Sequence, residues 1–352
     1  MEYKYPVAKP CFSGKELEYV THAVTTGWIS SLGPFVGKFE KYFADWNDTK
    51  YGVACSSGTA ALTIALRALN IGSGDEVIVP EFTMIATAWA VTYTGATPVF
   101  VDCKDDLTIN CDLIEEKITE RTKAIMPVHI YGRRCDMRRL MEIAYGYNLR
   151  VIEDSAEAHG VKPVGDIACF SLYANKIITS GEGGICVTNE ERLAKQMTHL
   201  RSMAFTPTHD FLHKKIAYNF RMTNLQAAVA LAQLERIDEI LKKRKKIEAY
   251  YNNGLRDIKG VTVMPVRDVL WMYDIVVEKK EELQKYLAEH GIETRQFFKP
   301  MSQQPMYYNA NWKNLKAATY GYNGIYLPTY TDLTEQDQDY IIGKIKEFYE
   351  SK

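Results

Sequence analysis

The sequence predicts an α/β protein: a mostly parallel sheet flanked by helices, followed by a smaller α+β unit. Three observations carry this. Through the first two thirds of the 352 residues, short apolar runs alternate with segments of helical periodicity. The runs are apolar at successive positions rather than at every second one, the mark of strands covered on both faces. After Gly254 the regular alternation stops and strands and helices follow in a different pattern.

Taken in order, Ser13-Gly14-Lys15-Glu16 reads as a capping box opening a helix to about Thr26. Phe35 to Trp46 repeats apolar residues at helical spacing. Tyr51 to Cys55 is a strand and Thr59 to Leu69 a helix. Glu76 to Pro80 is a buried strand, with a helix running to Tyr93. Strands follow at Pro98 to Asp102, Ala124 to Ile130, Val151 to Asp154, Ala168 to Ser171 and Gly184 to Thr188. Helices are expected near Met137 to Tyr145 and Glu190 to Ser202, and one long helix from Thr223 to about Tyr251. In the last part, Val261 to Val263 and Leu270 to Val277 are strands, and Lys280 to Glu289 and Glu335 to Tyr349 are helices. The expected division is a large domain, 1–240, and a small one, 241–352.

Composition narrows the function class. Hydrophobic residues make up 46% and charged residues 25%, with a formal net charge of −1. No bulk field points to nucleic acid or to an anionic membrane. The run Leu241-Lys242-Lys243-Arg244-Lys245-Lys246 has no interleaved aromatics and reads as a solvated helix face. Seven dispersed cysteines without a C-x-x-C pair argue for a reducing compartment and against a disulfide framework or zinc site. Met1-Glu2-Tyr3-Lys4-Tyr5-Pro6 lacks the apolar core of a signal peptide, and no run approaches the ~18 apolar residues of a membrane helix. The expectation is a cytoplasmic protein with neither membrane nor nucleic-acid partner.

The chemistry gathers around Lys176. It lies between the apolar run ending at Ser171 and the glycine-rich Gly181-Glu182-Gly183-Gly184. Upstream, Asp154 ends the run Val151-Ile152-Glu153-Asp154. In an open parallel sheet, ligands bind beyond the carboxyl ends of strands. A lysine able to form a Schiff base and an acid able to hold a pyridinium nitrogen are what pyridoxal 5′-phosphate (PLP) needs from a protein. Ser56-Ser57-Gly58-Thr59 is a strand-to-helix junction whose free N–H groups suit a phosphate, and Ser171 stands close enough in sequence to Lys176 to add a hydroxyl. A surface lysine and a helix-capping aspartate are the plain alternatives, and the pairing weighs against both. His129, His159 and His199 form no metal-ligand spacing. The glycine fingerprint of dinucleotide binding, the P-loop, H-E-x-x-H and G-x-S-x-G are all missing from the sequence.

Several strings together resemble the DegT/DnrJ/EryC1/StrS aminotransferases. They are Ser57 to Leu62, Gly74 to Pro80, Glu153-Asp154-Ser155-Ala156-Glu157-Ala158-His159-Gly160, Phe170 to Gly184, and Tyr218 to Asn224. The resemblance implies PLP fold type I, with a large domain and a smaller C-terminal domain. Trp28-Ile29-Ser30-Ser31 with Gly33-Pro34, and Glu157, are most similar to the perosamine and viosamine synthase group. By resemblance, Lys176 carries the cofactor and shuttles protons, and Asp154 pairs with the pyridine nitrogen. Gly58, Thr59 and Ser171 hold the phosphate, Glu157 sits beside the phenolic oxygen, and Met84 takes the place of an aromatic stacked on the ring. Asn219 would reach the neighbouring subunit's cofactor, so the active unit would be a homodimer with shared sites. Substrate contacts are expected at Trp28, Ser30, Arg221, Lys299 and Tyr307.

The implied reaction uses L-glutamate to form pyridoxamine phosphate and 2-oxoglutarate. The amino group then passes to C4 of a nucleotide-linked 4-keto-6-deoxyhexose carried on UDP, dTDP or GDP. The alternatives are a C3 aminotransferase acting on a 3-keto sugar and a PLP-binding regulator without catalysis. Lys176 weighs against the dehydratase branch, where a histidine typically replaces it. Two departures bear on the sugar: Val161 to Val164 is a short loop, and Ser302 stands where relatives often carry histidine.

Overall fold

A computed structural model describes residues 3–205, 211–213 and 215–351; Met1 and Glu2 of the N-terminal segment read above lie outside them. The chain opens with helices α1 (Glu16–Thr25) and α2 (Pro34–Trp46). It continues through β1 (Tyr51–Cys55), α3 (Gly58–Ala68), β2 (Glu76–Pro80), α4 (Ile85–Tyr93), β3 (Thr97–Val101), β4 (Thr122–Ile125), α5 (Met137–Gly146) and β5 (Arg150–Asp154). Then come β6 (Ile167–Ser171), β7 (Gly184–Thr188), α6 (Glu191–Arg201), α7 (Asn224–Leu234) and α8 (Ile237–Leu255). The last part holds β8 (Val261–Val263), β9 (Tyr273–Val277), α9 (Lys280–Glu289), β10 (Arg295–Gln296), α10 (Lys316–Asn323), β11 (Gly324–Leu327) and α11 (Glu335–Glu350).

The large sheet has the order β1-β7-β6-β5-β4-β2-β3. Strands β6, β5, β4, β2 and β3 run parallel; β7 runs against them, and β1, antiparallel to β7, forms the edge. Alternate residues feed different cores, which is why the runs are apolar throughout. Ile167 and Cys169 face the core built with α3 and α6, while Ala168 and Phe170 face the one built with α2 and α7. The second sheet, β10-β11-β9-β8, is wholly antiparallel and packs on α8, α9 and α11. The N-terminal segment crosses to it, with Tyr5 bridging Ile292.

Five expectations need correction. The capping box before α1 does not form: Lys15 is the N-cap, and the Glu16 carboxylate instead accepts from Gly14 N at 2.8 Å and from the Gln233 amide at 2.6 Å. The long helix is two helices broken at Glu235-Arg236. α7 is buried nearly all round in the first core, whereas the later turns of α8 send Ile247, Tyr251 and Leu255 into the second. Arg244, read as part of a solvated run, is buried and donates to Trp271 O at 2.8 Å. The strand expected over Leu270 to Val277 starts only at Tyr273, because Leu270 and Trp271 turn their carbonyls to that guanidinium. Likewise β4 ends at Ile125, before Pro127, which has no N–H to give a ladder.

Candidate active site

The carboxyl ends of the parallel strands open on a cavity of about 350 Å³. The start of α3, the segment before α4, the end of β5, the end of β6 and the turn holding Lys176 all line it, joined by Trp271 and Phe298 from the later part of the chain. The structure thus brings Gly58, Thr59, Met84, Asp154, Glu157, Ser171 and Lys176 together in one place.

Lys176 Nζ stands 3.6 Å from Glu157 Oε1 and 4.0 Å from the centre of the Trp271 ring. Burial lowers its pKa, and Glu157 and Asp154 offset that only in part. A lysine held this way exchanges protons more readily than one on the surface. Asp154 is buried, and burial raises its pKa although Thr87 and the Ala156 amide favour the charged form. The Thr87 hydroxyl donates to its Oδ2 at 2.8 Å and Ala156 N to its Oδ1 at 3.1 Å. Lys176 and His129 favour its charge only from a distance, and among the described residues no cation forms an ion pair with it; a pyridinium nitrogen would supply one. Glu157 is pushed up to about 7 by burial, against the pull of Lys176 and of the Tyr131 amide. That amide donates to its Oε2 at 2.9 Å, from a residue held at φ 53°.

At the other end of the cavity, Ser57 caps α3 by accepting from Ala60 N at 3.1 Å. The first N–H groups of the helix, at Gly58 and Thr59, have no intrahelical acceptor and suit an anion. A Cβ on Gly58 would stand 2.9 Å from Ser171 Cβ, so the helix start lies against β6 only because the residue is glycine. The buried Oδ1 of Asn175, a residue also lining the cavity, has no donor among the described residues. Cavity, anion cradle, fixed carboxylate and buried lysine fit PLP. Met84 caps α4 through its sulfur, which accepts from Ala86 N at 3.0 Å, and lies half-exposed at the cavity edge.

The other expected site residues are not in this cavity. Asn219 is exposed and accepts from Arg221 Nε at 3.1 Å; Arg221 lines a separate groove between α2, β1 and α6. Trp28 and Ser30 are exposed, and their carbonyls accept from the Asn224 side chain and backbone, each at 2.6 Å. Lys299 is exposed beside the cavity-lining Phe298. Tyr307 bonds the Thr92 hydroxyl at 2.6 Å and packs on Phe100. Ser302 is buried, its hydroxyl donating to Glu81 at 2.9 Å. His129 pairs with Glu153 at 2.8 Å, and the other Glu153 oxygen accepts from Val164 and Gly165, fixing the short loop. His159 is buried between Phe43 and Phe170, and burial takes its pKa down to about 3. Thr87, Tyr131, Trp271 and Phe298 belong to the site and carried no signal in the sequence, since each approaches from a distant element.

Among the described residues no helix is long and apolar enough to cross a membrane, and no group of His, Cys, Asp and Glu is arranged to hold a metal ion.

Comparison with known proteins agrees with this geometry. The chain is 45% identical to a GDP-perosamine synthase of Caulobacter vibrioides, with 96% of each covered. It is 42% identical to a GDP-perosamine synthase of Escherichia coli O157:H7, with 99% of each covered. A putative sugar aminotransferase of Streptococcus pneumoniae, solved in its PLP form, superposes with a TM-score of 0.91 at 29% identity over 99% of both chains. The model of the DegT/DnrJ/EryC1/StrS aminotransferase family matches residues 10–346, and the chain belongs to that PLP-dependent family.

Proposed function

We propose that the protein transfers the amino group of L-glutamate to C4 of a GDP-linked 4-keto-6-deoxyhexose, giving a 4-amino-4,6-dideoxy sugar of the perosamine type. The observation that carries this is one cavity holding both the Lys176 amine and the fixed Asp154 carboxylate. The choice of carrier and sugar rests on near-full-length similarity to the two GDP-perosamine synthases.

PLP bound in the cavity supplies an electron sink for the carbon from which a proton is lost. The chain supplies the rest. The neutral Lys176 Nζ takes the proton from the donor's Cα and, in the second half, delivers one to the sugar carbon. Asp154, kept in place by Thr87 and Ala156, would keep the ring nitrogen protonated and stabilise its positive charge. The α3 N-terminus and Ser171 bind the phosphate. Trp271, Phe298, Val128 and Leu62 line the cavity with apolar surface and limit water. Asn219 and Arg221 lie outside their own subunit's cavity, which supports a homodimer in which they serve the partner's site. The same reading assigns Trp28, Ser30, Lys299 and Tyr307 to the sugar nucleotide and divides the chain near residue 240. Seven free thiols support a cytoplasmic location.

The test is amination of a panel of GDP-, UDP- and dTDP-linked 4-keto and 3-keto deoxyhexoses with glutamate, the products read by mass and NMR. C4 amination of the GDP sugar is expected. Turnover confined to a 3-keto sugar, or to UDP or dTDP carriers, would overturn the reading. Lys176→Ala should abolish both the visible cofactor band and turnover.

A further inference from the structure

Trp271 lines the cavity, and the face of its ring also meets the reactive amine. It lies at the end of the segment joining β8 to β9, so it reaches the cavity from the small sheet. Its ring is buried and held on several sides. Nε1 donates to Asn175 O at 2.8 Å, and the rings of Tyr131 and Tyr326 stand 5.9 Å and 6.2 Å away. An indole fixed in this way cannot turn aside. Its face meets Lys176 Nζ at 4.0 Å, while Glu157 Oε1 stands 3.6 Å from the same nitrogen. Tryptophan offers the strongest π-face of the aromatic side chains to a cation, and desolvation strengthens the attraction.

We propose that Trp271 is a positioning residue for the reactive amine: its indole face receives the protonated Nζ of Lys176 and holds it beside Glu157 whenever that amine is not joined to the cofactor. The inference rests on Lys176 being the amine of the proposed transfer. The ring stabilises the charged amine and so opposes burial, which alone would leave Lys176 neutral over a wider pH range. The other groups facing Lys176 are Asp154, Glu157 and His159 from β5 and the turn after it. Glu182 lines the cavity from the lysine's own turn. The phenols of Tyr131 and Tyr326, whose rings both neighbour the indole, bond one another at 2.5 Å.

The deciding experiment keeps the shape of the ring and changes only its face. The full-length chain is produced with tryptophan or with ring-fluorinated tryptophan at its five positions and freed of cofactor. Lys176 is then titrated by competitive acetylation at stepped pH, read on its peptide by mass spectrometry. Fluorination should lower the Lys176 midpoint by about half a unit to one unit, increasing with the number of fluorines. In a Trp271→Phe background, fluorinating the remaining tryptophans should leave the midpoint unmoved. An unchanged midpoint in the fluorinated wild type, or an equal shift in the Trp271→Phe chain, would overturn the proposal. The titration is read with neither sugar nor glutamate present, so its outcome is separate from that of the substrate panel.

Discussion

Glu157 ties the reactive lysine to the backbone that carries it. One carboxylate oxygen faces Lys176 Nζ and the other accepts from Tyr131 N. Burial sets its folded pKa at about 7, above the ordinary 4.5. Between those values the folded chain holds a proton that the unfolded chain has lost. Its contribution to stability is therefore complete below pH 4.5 and is lost as the pH rises through 7. Glu157→Gln keeps an acceptor for the Tyr131 amide and removes the titration. The urea midpoint of the cofactor-free variant should vary less with pH across this window than that of the wild type; parallel curves would show that Glu157 does not titrate there. Asp154 and Lys176 were legible at this scale because each ends or follows an apolar run in a way that surface residues do not. Thr87 was not, because an ordinary threonine within a helix gives no sign that it faces a carboxylate 67 positions away in the chain.

The start of α3 shows how much one element can decide. Ser57 caps the helix, and Gly58 lets it lie against Ser171. Gly58→Ala places a methyl group in that contact and displaces the N–H groups from where a phosphate would sit. PLP affinity, measured by equilibrium titration of the visible band, should fall at least ten-fold, with the far-UV circular dichroism unchanged. Ser57→Ala should instead cost stability, about 1 kcal/mol for a lost N-cap, read from the thermal midpoint. The junction was legible because strand, serine, glycine and helix follow one another directly. The break between α7 and α8 was not. Helical periodicity runs through Glu235-Arg236, and only the separation of two cores makes the chain turn there.

At the scale of the molecule, a buried ion cluster joins the loop carrying Tyr131 to the second sheet. Arg133 donates both terminal nitrogens to Asp274 at 2.9 and 3.0 Å. Arg267 pairs with the same aspartate and with Glu248. Gly132 lies against Val269 so closely that a Cβ would fall on its carbonyl oxygen. Asp274→Ala strands the buried Arg133 guanidinium and leaves Arg267 with Glu248 alone, and breaking such a pair costs about 3–5 kcal/mol. Equilibrium unfolding in urea should register that loss, and added salt should not restore it, since buried charges are poorly screened. A variant as stable as the wild type would show that the cluster does not hold the units together.

The sequence by itself determined the alternation of strands and helices, the register of apolar runs and the lysine–aspartate pair. These are local facts: period, caps and punctuation act within a few residues. The tertiary structure alone decided which distant groups complete the site. Thr87 reaches Asp154 across the sheet, Tyr131 holds Glu157 from a left-handed turn, and Trp271 covers Lys176 from the small sheet. Each of these contacts depends on how whole elements pack, and packing is fixed by the sum of many weak contacts rather than by the residues at the site.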